Sequence, residues 1–75
     1  MTLNEFVQAF AAEFDETPEE LFKADTEFKT LEEWGSLTAL SIISMVDEQM
    51  DKTITGADIR ASKTIEDLFN LAASK

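Results

Sequence analysis

Two glycines and one proline are all that a chain of 75 residues carries of those two types. A many-stranded sheet uses such residues at its reversals, whereas helices need few. The apolar residues fit the helical alternative. Leu3, Phe6, Val7, Phe10, Ala11 and Phe14 recur at helical intervals behind Thr2 and Glu5, which have capping-box spacing. A helix is predicted over 3–14. Thr17-Pro18-Glu19-Glu20 then supplies a cap, a proline suited to the first helical position and a following glutamate. This predicts one turn ending near Phe22. Residues 23–35 show no period, and a loop of that length needs anchoring or a function. Phe28, Leu31 and Trp34 are the residues able to pin it.

Ser36 opens the strongest helix, predicted to run to Met50. At 100° per residue, Ala39, Leu40, Ile42, Ile43, Val46 and Met50 fall in one broad sector, the expected core face. Leu37, Thr38, Ser41, Met45 and Glu48 share another, with two apolar residues more than a solvated face requires. Taken alone, that sector is read either as a partner surface or as ordinary scattered exposed apolar residues. Thr55 and Asp58 predict a short helical stretch through Ala57, Ile59 and Arg60. Thr64 and Asp67 predict a last helix over 64–73. The expected fold is all-α: a four-helix bundle of three main helices and one short one, with a long loop between the first two.

At 44% apolar residues the chain has material for one core, expected to span 1–75. The formal charge is −10, from 16 acids against 6 bases without histidine. Nucleic acid phosphate and anionic membranes repel such a surface, so partners with basic patches are expected. The imbalance is steepest in residues 1–33, which hold the majority of the acids but only Lys23 and Lys29 as bases. Without His or Cys, the usual zinc sites, serine–histidine triads, thiol catalysis and disulfides are excluded. No apolar run approaches the ~18 residues of a membrane span. No Lys or Arg precedes Lys23, as a cleaved signal with a basic start would require. A cytoplasmic monomer without catalytic chemistry of its own is the expectation.

Trp34-Gly35-Ser36-Leu37 stands where the long loop meets the central helix. With Leu40 through Met50, Asp47-Glu48, Ile54 and Thr64-Ile65 before Asp67-Leu68, this layout resembles an acyl carrier protein over nearly the whole chain. The resemblance implies that Ser36 is esterified with 4′-phosphopantetheine. In the family a phosphopantetheinyl transferase, the holo-carrier synthase, takes that arm from coenzyme A with a divalent cation. The arm's thiol then carries acyl intermediates as thioesters between acyl-transferring and condensing enzymes of fatty acid or related biosynthesis. The expected docking residues are Leu37, Thr38, Ser41, Met45, Asp47 and Glu48, and acyl chains in the family slip between the helices. Phe6, Phe10, Phe28, Ile43 and Phe69 are the candidates for such a lining; a filled aromatic core is the simpler expectation.

Two departures matter. The family places aspartate before the serine, where this chain has Gly35; Glu32 and Glu33 are the nearest acids. Fatty acid carriers typically place acids two and five residues after the serine, where Thr38 and Ser41 stand. The first bears on how efficiently, and by which synthase, the serine is modified; the second points to a specialised carrier with dedicated enzymes. The alternative is an unmodified acidic helical module that binds a protein through the Leu37/Met45 face. A calcium loop at Asp47–Lys52 lacks the required acid–glycine–glutamate spacing, and among sixteen acids chance carboxylate pairs are inevitable.

Overall fold

The computed structural model describes all 75 residues. Four α-helices, α1 (Leu3–Ala11), α2 (Ser36–Met50), α3 (Gly56–Ala61) and α4 (Ile65–Ala73), are joined without any strand. Two 3₁₀ turns, Glu19–Leu21 and Phe28–Thr30, lie in the long connection between α1 and α2. α1 packs on α4 and α2, and α3 packs on α4, in a helical bundle of 29 × 24 × 20 Å. No helix is long and apolar enough to cross a membrane.

Three helices start where their caps predict. Thr2, Thr55 and Thr64 accept from the backbones of Glu5, Asp58 and Asp67, whose carboxylates accept in return from the threonine N–H groups. Each box satisfies two helix-end donors that would otherwise be orphaned. The carboxyls of all three acids are held below their ordinary range. Glu5 and Asp67 owe this first to the capped N–H groups, Asp58 first to the hydrogen bond from Lys75.

α1 is shorter than predicted. It ends at Ala11, and Glu13 and Phe14 follow through 3₁₀-type bonds to Phe10 and Ala11 carbonyls at 3.1 and 3.0 Å. Glu13, Asp15 and Glu16 crowd its negative end without a nearby base, which disfavours further helix. Phe14 instead turns inward, its ring centroid 4.8 Å from that of Phe22. Thr17 does not cap the turn after it: Pro18 holds the cap position with no side-chain bond.

The long connection is ordered because it is tied at several points. Phe22 and Phe28 are buried, Leu31 and Trp34 pack against the core, and the expected anchors hold. The first N–H groups of α4 donate to the loop, Ile65 to the Thr26 carbonyl and Glu66 to that of Ala24. Lys29 Nζ donates to the Ile59 and Arg60 carbonyls at 3.3 and 3.0 Å, closing the end of α3. The core contains Phe6, Phe10, Phe28, Ile42, Val46, Ile54, Ile65 and Leu68, all essentially inaccessible.

The face that α2 buries differs from the predicted one. Ile42 and Val46 are in the core as expected, but Leu40 is 60% exposed and Met45 is 3% exposed. The helix is rotated toward the Thr38/Met45 side, because α2 has apolar residues around most of its circumference and its packing partners choose among them.

Candidate functional site

Gly35 is the N-cap of α2. Its backbone is extended, with φ −173° and ψ −175°, and its carbonyl accepts the first helical bond, from Ala39 N–H at 2.9 Å. Glycine has no side chain to cap with, so α2, alone among the four helices, starts without a side-chain acceptor. Ser36 is thus the first helical residue. It is exposed, and its hydroxyl enters no hydrogen bond within the protein. The capping role that would explain a serine here on structural grounds is absent.

Trp34 packs beneath this turn. Its ring stacks at 6.5 Å on both Phe10 and Phe14 and meets Phe28 edge-on at 4.9 Å. The Trp34 N–H donates to the Leu31 carbonyl at 3.0 Å, so the residue before Gly35 is fixed by both backbone and ring.

Glu33 fixes the other side. Its carboxylate accepts from the N–H groups of Asp15, Glu16 and Thr17 at 3.0, 3.0 and 2.7 Å, and from the Thr17 hydroxyl at 2.6 Å. The Thr17 hydroxyl foremost, then the three N–H groups, hold this carboxyl below its ordinary range against the opposing effect of partial burial. The Glu33 carbonyl also accepts from the Thr38 hydroxyl at 2.9 Å. Glu33 therefore clamps the end of α1 to the start of α2 and is not a free charge beside Ser36. Glu32, which is exposed, is the nearby acid left available.

A shallow groove of about 340 Å³ opens against Ser36. Trp34, Gly35 and Ala39 line it at the start of α2, Gly56, Ile59 and Arg60 come from α3, and Lys29 reaches it from the connection with its ammonium on the α3 carbonyls. In a chain with 16 acids and 6 bases, this lining contains two bases and no acid. Its charge is opposite to that of the molecule.

The expected docking residues separate into two groups. Leu37 (79% exposed), Asp47 and Glu48 lie on the surface of α2. Thr38 is committed to Glu33, Ser41 donates back to the Leu37 carbonyl at 3.3 Å, and Met45 is in the core. Met45, assigned to the partner face, thus cannot meet a partner, whereas Leu40, assigned to the core face, is exposed. Leu37 and Leu40 form the apolar surface. The missed signal was polar: Ser36, Ser44 and Asp47 lie within roughly 40° of Leu40 on a helical wheel and mark its sector as solvated.

The aromatic residues considered for an acyl cavity fill the core instead. The Phe6, Phe10 and Phe28 side chains are inaccessible, and Phe69 meets Phe6 at a centroid distance of 5.3 Å. No surface depression is lined by these rings or by Ile43. Comparisons with protein-family models, curated proteins and solved structures gave no match.

Proposed function

We propose that the chain is an acyl carrier protein whose Ser36 bears 4′-phosphopantetheine. The observation that carries the reading is the condition of that hydroxyl. Among all serine and threonine side chains only Ser36, Ser44 and Thr53 enter no hydrogen bond. Ser36 alone of these opens a helix and borders a groove. The order of helix, pinned connection, long helix, short helix and last helix supports the acyl-carrier form of the bundle.

The surroundings suit the group. A phosphodiester at Ser36 meets the uncapped N-terminal end of α2, an interaction worth ~0.3–1 kcal/mol at an exposed helix end. Gly35, Trp34 and Ala39 flank the path along which the arm would lie. Its attachment joins the Ser36 oxygen to the phosphorus of the arm and releases adenosine 3′,5′-bisphosphate from coenzyme A, the hydroxyl proton passing to the transferase. The bound arm supplies a thiol that holds acyl groups as thioesters. The chain presents that thiol and docks, tethering making the encounter effectively intramolecular. Leu37 and Leu40 form the apolar centre of the docking face and Asp47 and Glu48 its acidic end, which suits acyl-transferring and condensing enzymes with basic patches. The neutral Thr38 and Ser41 favour dedicated partners in a specialised pathway.

The test is intact mass after incubation with coenzyme A and a broad-range transferase. One phosphopantetheinyl increment on the wild type and none on Ser36→Ala supports the carrier. No increment with several transferases overturns it. The second reading, an unmodified interaction module, draws on the exposure of Leu37 and Leu40. It is favoured if Ser36→Ala supports full function in cells.

A further inference from the structure

Structural need accounts for only part of the base-only lining of the groove: Lys29 closes the end of α3, whereas Arg60 pairs with no acid. Lys29 has two of its three N–H donors on the Ile59 and Arg60 carbonyls, and one remains. Arg60 is exposed and unpaired; the one ion pair of the chain joins Lys75 to Asp58. Its guanidinium lies back over Gly56, 3.3 Å from where a β-carbon on that residue would stand. Glycine at 56 thus lets the arginine lie beside the groove. Screening at physiological salt acts over ~8 Å, so a ligand in the groove feels the two cations that line it more than acids beyond that range, and neither Glu32 nor Glu33 lines it.

We infer that Lys29 and Arg60 form an anion subsite for a tetrahedral phosphate, and that its occupant is the phosphodiester anchored at Ser36. The inference rests on the carrier reading for its occupant alone, since the groove and its cations exist in the unmodified chain. Held there, the first part of the arm lies along α2 and α3 instead of sweeping freely, and docking enzymes must detach it. Arginine suits this task because its planar fork matches phosphate oxygens, while lysine acts as a point charge.

Dimethyl phosphate is the probe for the diester and inorganic phosphate the probe for a free phosphate. Each is titrated into the ¹⁵N-labelled unmodified protein at constant ionic strength. Saturable shifts at the Gly35, Ser36, Gly56 and Arg60 amides are expected. Arg60→Glu, at an exposed side chain that supports no other group, is expected to raise the midpoint about fivefold or more. Equal midpoints in the two proteins, or shifts confined to Lys23 and Lys63, overturn the subsite. Saturable shifts with inorganic phosphate and none with the diester overturn its assignment to the arm. In modified protein, the ³¹P relaxation of the diester is expected to match tumbling of the whole domain, and to turn faster in Arg60→Glu. Phosphate binding without any Ser36 modification sinks the carrier and spares the subsite; modification with unchanged ³¹P relaxation does the reverse.

Discussion

A β-carbon at position 35 would meet no atom within 4 Å, and the extended backbone there suits any residue. Gly35→Asp therefore fits without rearrangement and gives α2 the side-chain cap it lacks. The expected gain is a few tenths of a kcal/mol, the usual margin of aspartate over glycine at an N-cap, read from urea unfolding. The same substitution restores the acid that carriers present to their transferase. It is expected to speed modification of Ser36 in a timed mass assay, and equal rates would show that position 35 does not limit transfer. Glu33 gives a pH dependence. Its folded pKa is depressed, so its contribution is present above the ordinary glutamate value of 4.5 and fades as pH falls through the lower folded value. Glu33→Gln is expected to unfold at lower urea than wild type near neutrality. The gap closes as acid protonates the wild-type clamp, and a gap constant from pH 7 to pH 3 would contradict the assignment.

The helices were legible in proportion to how local their signals are. The boxes at Thr2/Glu5, Thr55/Asp58 and Thr64/Asp67 involve residues three apart, and all three formed as read. The path after α1 depends on Phe14 meeting Phe22 and on residues 15–17 donating to Glu33, partners distant in sequence, and the early end of α1 was not foreseen; nor was the turn at Phe28–Thr30. The rotation of α2 was hidden because Leu37, Leu40, Ile43 and Met45 are all apolar and its period does not single out one face. Two substitutions separate the faces. Met45→Ala is expected to cost about 2–5 kcal/mol in denaturant unfolding, as buried truncations do. Leu40→Ser should stay within ~0.5 kcal/mol while weakening partner docking, as exposed positions do. The reverse pattern would restore the face read from the sequence. At the candidate site, the place of Ser36 at the head of α2 was legible from the sequence. The groove was not, since Lys29 reaches the end of α3 across 31 positions.

For the molecule as a whole, charge and core oppose each other. A net −10 rests on a bundle with one ion pair, so screening has much repulsion to relieve and little attraction to remove. Raising salt from about 10 to about 150 mM shortens the Debye length from ~30 to ~8 Å. The melting temperature is expected to rise, by ~4–8 °C for each kcal/mol of repulsion relieved at this size. A falling melting temperature would mean that attractive pairs dominate. Against that repulsion stand the aromatic rings, and Trp34, the one tryptophan, has its ring against Phe10, Phe14 and Phe28 and its edge on the Ser36 groove. Unlabelled protein therefore contains its own optical gauge. The indole emission is expected to redden when the bundle opens to water, and to change separately, at constant helicity, when a ligand settles in the groove beside Ser36, so that unfolding and occupancy can be followed in the same cuvette.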